Sequence, residues 1–146
     1  MKAPIRTFTL ALVVMFAPAL ALAEPAAKFH HVAIEVDAQG RSFFADRESA
    51  LTPVAPDASA PTQTGLIPAG RISYMRLIPG FVSPWHTAPV RIHLLILQGT
   101  MTVETGSGET RTFGAGDVIE FGDQTGQGHK STVGRDGVLF AMVEIH

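Results

Sequence analysis

The stretch that decides the fold is Gly80 to Gly99, GFVSPWHTAPVRIHLLILQG, and it is completed about thirty residues later by GQGHKS at 126–131. A Pro-rich turn and a histidine, His86, precede the most apolar run of the mature chain. The second segment places His129 directly after two glycines. Both histidines are predicted to lie at the mouths of strands, and the surrounding sequence is interpreted as the β-scaffold that holds them.

Short segments with strand patterning extend outward from this stretch in both directions. Each is apolar or alternates apolar with polar residues, and each ends at a Gly, Pro or Asp turn. The predicted strands are Val32–Val36, Ile72–Ile78, Val90–Gln98 ended by Gly99, a hairpin of Met101–Glu104 with Arg111–Phe113, Val118–Phe121, and Val138–Ile145. The segment Arg41–Ala50 leaves open whether Phe43 and Phe44 cap a barrel end or begin a further strand. Close, regular spacing without a credible helix predicts an all-β sandwich or barrel.

The N-terminus is typical of a cleavable signal peptide. Residues 1–23 contain Lys2 and Arg6, then an apolar run, and end in Ala-Leu-Ala before Glu24-Pro25. An uncleaved anchor helix is the alternative, but Pro18 interrupts a short apolar stretch. A periplasmic or secreted bacterial protein is therefore predicted, without a membrane association after cleavage.

Removal of residues 1–23 from the 146 leaves 123, with nine basic and 13 acidic side chains and a net charge of −4. This mild acidity, without a basic run, argues against a nucleic-acid partner. The absence of cysteine means that no disulfide framework supports the exported domain, which must rely on its core or on oligomerisation.

Residues 24–64 are predicted to form an N-terminal strand and a Pro-rich arm, and residues 65–146 a β-barrel. The segment Leu51–Pro68 contains four prolines, which exclude a central strand or a long helix. An extended arm that reaches a neighbouring subunit is one interpretation. A homodimer, with the arm and Val90–Leu97 at its interface, is expected on this basis, and sedimentation of a chain lacking residues 51–68 would test it.

Two motifs resemble the signatures of the cupin superfamily, and together they cover about two-thirds of the mature chain. In the first, Gly80, five residues, His86 and a final Gly99 match; in the second, Gly126 and His129 keep their spacing. The interval back to Gly116 is two residues longer, and Gln124 replaces a proline. The phrases around Trp85–Pro89 and 123–129 look like a small single-domain subgroup. The resemblance implies a single-domain jelly-roll barrel preceded by the Pro-rich N-terminal arm.

The resemblance also implies a divalent metal inside the barrel, bound by three histidines and a glutamate. His86 and His129 occupy two of these positions, but Ala88 and Ile92 occupy the others and offer no donor atom. A spacing one residue longer puts His93 in the glutamate position, which gives a possible metal set of His86, His93 and His129. The metal would be Fe, Mn, Zn or Ni. Glu120 and Asp123 are substitute ligands in the same hypothesis.

A ligand pocket is predicted around Trp85, His86, Arg91, Glu120 and His129. Trp85 could wall the site and Arg91 could pair with a substrate carboxylate. The first hypothesis is an exported cupin that binds a small polar organic molecule, with a divalent metal and an oxygenase, isomerase or lyase reaction. The alternative is a non-catalytic binding module without metal.

The histidines also have purely structural interpretations. His86 could hydrogen-bond a loop carbonyl, and His129 could cap the turn made by Gly126 and Gly128. The pair His30-His31 is expected to face solvent and to play no part in the site.

Overall fold

A computed structural model describes residues 27–53, 63–64 and 67–146, which form strands joined by turns and loops. The strands are β1 (Lys28–Val36), β2 (Ser42–Ala50), β3 (Thr52–Pro53), β4 (Gln63–Thr64), β5 (Ala69–Leu77), β6 (Ile92–Thr105), β7 (Thr110–Gly114), β8 (Val118–Phe121) and β9 (His129–Ile145). The prediction of an all-β fold is confirmed.

Seven strands form one mixed sheet in the order β2-β1-β8-β6-β9-β5, with β7 paired to β6. The two longest strands, β6 and β9, are antiparallel neighbours from the pair Ile92–Glu144 to the pair Thr105–His129. β8 pairs with the first half of β6, and β7 pairs with its second half. The long strand β6 therefore has a different short partner along each half. The hairpin predicted for Met101–Glu104 and Arg111–Phe113 is the β6–β7 pair.

The predicted strand end at Gly99 is wrong, because β6 continues through this glycine. The pairing of β6 with β9 shifts register on both sides of it, between Ile96 and Gln98 and between Gly99 and Met101. Gly99 has φ +76°, and a Cβ there would lie 1.9 Å from the carbonyl oxygen of Gly137. The glycine therefore permits a bulge and a close approach of two strands rather than a turn.

The segment left open by its sequence, Arg41–Ala50, forms β2 and pairs antiparallel with the whole of β1. The Asp37 carboxylate shapes the connecting turn by accepting hydrogen bonds from the backbone N–H groups of Gln39 and Arg41, both at 2.9 Å. These bonds lower the pKa of Asp37 against the opposing effect of desolvation. Phe44 is buried in the core, so its side chain fixes which face of β2 points inward.

The core lies on one face of the sheet and is built from alternate residues of its strands. Its members include Ile34, Phe44, Leu94, Ile96, Met101, Val103, Phe113, Ile119, Phe121, Val133, Val138 and Phe140. Burial of each such side chain stabilises the fold by about 1.5–3 kcal/mol. Because strand residues alternate between faces, the neighbours of Leu94, Ile119 and Phe121 are directed to the opposite face.

Two predictions fall outside the described residues. The signal peptide, residues 1–23, is one, and most of the Pro-rich arm is the other, although the two-stranded β3–β4 pair joins Thr52 to Thr64 near its ends. The homodimer stays a prediction. Within 27–53, 63–64 and 67–146, the length and hydrophobicity needed for a membrane-spanning helix are not met.

Candidate functional site

A cavity of about 520 Å³ opens on the inner face of the sheet, between β5, β6, β9 and the loop that precedes β6. Most of its lining is apolar, and the polar groups are few: Arg71, Ser73, Ser83, His86, His129, Ser131 and Glu144. A pocket of this size, with an apolar wall and a few polar groups, is typical of small-molecule sites.

The structure brings His86 and His129 together in this cavity. Their backbones form an antiparallel bridge, in which the N–H of each donates to the carbonyl of the other at 3.0 and 2.9 Å. Their ring centroids are 4.4 Å apart. His86 is exposed at the cavity mouth, whereas His129 is 4% exposed and packs against Phe121.

Hydrogen bonds fix the orientation of both imidazole rings. His129 Nδ1 donates to Asp123 Oδ2 at 2.7 Å, and Asp123 is completely buried. His86 Nδ1 donates to the carbonyl of Pro84 at 2.9 Å. This is the hydrogen bond to a loop carbonyl that was expected for a structural role of His86. With both Nδ1 atoms used as donors, each Nε2 is the acceptor nitrogen of its neutral ring. Such an Nε2 can accept a proton or a hydrogen bond from a ligand.

The positions of the two remaining cupin ligands also line the cavity. They are Ala88 and Ile92, so the strand has the register that the resemblance implies, but two of the four positions are apolar. Two imidazoles are fewer ligands than divalent metal centres in proteins normally use. The one carboxylate that the described residues contribute to the cavity lining, that of Glu144, is paired with Arg71 at 2.6 Å. The donor set inside the barrel therefore does not fit a cupin-type metal centre.

The structure places His93, Arg91 and Glu120 apart from this cavity. Ile92 and Phe121 line the cavity, and the residues next to them in the strands, His93 and Glu120, point to the other face of the sheet. The set of His86, His93 and His129 is therefore not brought together. The physical reason is the strand period of two, which the bulges near Gly99 do not alter at His93.

On the outer face, His93 and Glu120 meet His31 from β1, and this group could hold a metal ion. We call His31, His93 and Glu120 the outer cluster. Both imidazole Nε2 atoms lie 3.3 Å from the same oxygen, Glu120 Oε2. The other oxygen, Oε1, lies 2.7 Å from Arg91 Nη1.

The charge of Glu120 is stabilised by its neighbours. Burial raises its pKa, but the hydrogen bond with His93, the charge of Arg91 and the hydrogen bond with His31 outweigh that effect and hold the pKa below its usual value. Glu120 is therefore an anion at neutral pH, and its carboxylate faces the two rings as an acceptor.

The sequence reasoning missed His31. The expectation of solvent exposure holds for His30, whose side chain is 69% exposed, and is wrong for His31, whose side chain is 6% exposed. Strand alternation could have separated the two residues, since His31 lies on the face of Ala33 and opposite Val32 and Ile34. The residues that cover the His31 face of β1 are brought there by the parallel pairing of β1 with β8. The local sequence does not indicate this pairing.

Trp85 lies beside His86 and is 39% exposed. It is not among the residues that line the cavity, whereas His86 and His129 are. Of the five residues predicted for the pocket, the structure thus places two at the cavity, two in or beside the outer cluster, and Trp85 on the surface near the cavity mouth.

The all-β architecture, with the two signature histidines paired at one cavity, is cupin-like. No family model and no curated protein matches the sequence. Similar solved structures include a protein of unknown function from Rhizobium leguminosarum bv. viciae 3841, with 30% identity and a TM-score of 0.44. That match covers 50% of this chain, which spans 66% of the length of the other.

Two further solved structures are similar at lower identity. The conserved SPY1581 protein of unknown function from Streptococcus pyogenes is 13% identical, with 84% of this chain and 76% of that chain covered and a TM-score of 0.42. The cupin domain of Schizosaccharomyces pombe Cnp3 is 12% identical, with 82% and 84% covered and a TM-score of 0.40. These likenesses concern the fold alone.

Proposed function

We propose that the protein binds a small organic molecule in the inner cavity and that His86 and His129 recognise the polar end of this molecule. The observation that carries the proposal is the orientation of the two rings. Both Nδ1 atoms are held by acceptors, so two Nε2 atoms are available at a wall that is otherwise mainly apolar.

The lining sets the chemistry of the ligand. Leu77, Met101 and Phe140 offer only apolar contact, which favours a ligand with a hydrophobic body. The sequence predicted a small polar molecule. The apolar lining favours a more specific ligand, an amphiphilic molecule with a hydroxyl or a carboxyl group. A hydroxyl can donate to a neutral imidazole, and a carboxylate can accept from a protonated one.

A binding role without a metal is favoured over the metal-dependent enzyme, because Ala88 and Ile92 remove two donors from the cavity. One observation supports catalysis as a second candidate function. Asp123 holds His129 in the tautomer whose Nε2 can take a proton from a bound ligand, which is the arrangement of a general base.

Binding of three matched probes tests the proposal: naphthalene, 2-naphthol and 2-naphthoate, which share one apolar body. We expect at least one polar probe to bind about 10-fold or more tightly than naphthalene, by fluorescence titration. The His86→Ala and His129→Gln variants should lose this preference, because each removes an imidazole acceptor. The larger loss is expected for the buried His129, since a buried polar group left without its partner costs about 1–3 kcal/mol.

Two controls make the probe experiment decisive. His30→Ala removes an exposed histidine that does not line the cavity and should leave all three affinities unchanged. Ala88→Leu extends a side chain into the cavity and should weaken all three. If the preference for a polar probe survives both His86→Ala and His129→Gln, or if no probe binds, the proposed role of the two histidines is wrong.

We also propose that the protein acts outside the cytoplasm, on the evidence of residues 1–23. The expected result is a mature chain that begins at Glu24 when the protein is purified from the periplasmic or secreted fraction. N-terminal sequencing measures this directly. A chain that keeps its first 23 residues in the membrane fraction would instead support the anchor helix.

A further inference from the structure

The outer cluster is assembled by three neighbouring strands. His31 is on β1, Glu120 on β8 and His93 on β6, and these strands lie side by side in the sheet. Glu120 is the register partner of His93 and also of Ala33, two residues beyond His31 on the same face. The three side chains therefore converge because of pairing between distant parts of the chain.

Two distances within the outer cluster match those between the ligand atoms of one metal ion. The two Nε2–Oε2 distances of 3.3 Å are longer than the 2.9–3.0 Å that is most common for an N–H···O hydrogen bond. A tetrahedral ion with bonds of about 2.0–2.1 Å sets its ligand atoms roughly 3.3–3.4 Å apart. All three ligand atoms lie within 4.8 Å of one another.

Burial and the orientation of the Glu120 carboxylate favour a metal ligand set at this point. The side chains of His31, His93 and Glu120 are only 6%, 10% and 12% exposed. Glu120 supplies one negative charge, and Arg91 binds its Oε1, which leaves Oε2 directed at the two rings. A ligand carboxylate held by a second residue in this way is typical of metal centres.

The ring of His31 is oriented towards the cluster. Its Nδ1 is buried and has no hydrogen-bond partner, so Nε2 is the ring nitrogen with a polar neighbour. The ring stacks on Phe29, with centroids 5.8 Å apart. His31 also lines an open groove of about 640 Å³, so the cluster adjoins solvent at this residue.

We propose that the outer cluster is a binding site for a first-row divalent cation such as Zn²⁺, with His31 Nε2, His93 Nε2 and Glu120 Oε2 as ligands. The site is separate from the inner cavity, because its residues lie on the opposite face of β6 and β8. The ion connects β1 to both of these strands. It therefore stabilises the attachment of the β1–β2 hairpin to the rest of the sheet.

The test is a Zn²⁺ titration of untagged, chelator-treated protein in competition with a chromophoric chelator. We expect one Zn²⁺ per chain, a higher melting temperature with the ion, and a visible absorption spectrum of tetrahedral type when Co²⁺ is used instead. His31→Ala and His93→Ala should weaken Zn²⁺ binding by about 100-fold or more, since loss of even an outer-shell partner costs 10–100-fold.

Three matched variants distinguish this site from other histidines. His30→Ala removes the adjacent exposed histidine and should bind Zn²⁺ as the parent does. The His86→Ala, His129→Gln double variant removes the inner pair and should also bind normally. Glu120→Gln keeps the shape of the ligand but removes its charge, and should weaken binding without preventing folding.

The outcomes are unambiguous even if His93→Ala fails to fold. Circular dichroism identifies such a failure. His31→Gln, which changes a residue at the groove, then takes the place of His93→Ala in the comparison. A parent protein that binds neither Zn²⁺ nor Co²⁺ would overturn the proposal. So would Zn²⁺ binding that is lost with His86 and His129 but is retained when His31 and Glu120 are changed.

Discussion

Gly128→Ala is expected to destabilise the protein by about 2–5 kcal/mol and to separate the two histidines of the inner cavity. Gly128 has φ +75°, a conformation that costs an alanine about 1–2 kcal/mol. The new Cβ would also lie 2.1 Å from the carbonyl oxygen of His86. Because that atom is backbone, the His86 loop must move, and overpacking of this kind costs about 1–3 kcal/mol more. Chemical denaturation measures the loss.

Gly108→Ala is the matched control for this prediction. Gly108 has a similar φ of +85°, but a Cβ there would meet nothing within 4 Å. It should therefore show only the conformational cost of about 1–2 kcal/mol and keep the preference for a polar naphthalene probe. Equal destabilisation by the two substitutions would show that the close approach of Gly128 to His86 does not constrain the site.

Asp123→Ala is expected to cost about 2–3 kcal/mol of folding free energy. It leaves Nδ1 of His129 buried without an acceptor, and removal of one partner from a buried hydrogen bond of a charged group has a cost of this size. The free ring should also lose its fixed tautomer, so the polar probes should bind less tightly. Asp123→Asn keeps an acceptor oxygen and should be less damaging.

A double-mutant cycle with His129→Leu isolates the Asp123–His129 interaction. The double variant should be more stable than the sum of the two single changes predicts, by about 1–3 kcal/mol. Additive effects would contradict the pairing, because residues that share a buried hydrogen bond do not act independently.

Local patterning was sufficient for much of the fold and for two residues of the inner site, His86 and His129. Alternation and turn residues predicted the main strands, and the two cupin-like motifs placed His86 and His129 at one end of them. The strand was predicted to end at Gly99, but a glycine with positive φ occurs in bulges as well as in turns. Only the close approach of the Gly137 carbonyl on β9 distinguishes these two uses.

The outer cluster depends on information that local sequence lacks. Because strand residues alternate, His93 lies on the opposite face from Ile92, and this alternation alone separates His93 from the inner histidines. The convergence of His31 with Glu120 requires parallel pairing of β1 with β8, across most of the mature chain. Motif spacing describes residues along one strand or loop, so it does not report such a contact.

The position of β9 between β6 and β5 has a consequence for when the sheet can form. β9 is the last strand in chain order and is 17 residues long, yet it pairs with both β6 and β5. Until it has been synthesised, β6 lacks its longest partner and β5 has no place in the sheet. The sheet therefore becomes complete only after β9 is available to pair with both strands.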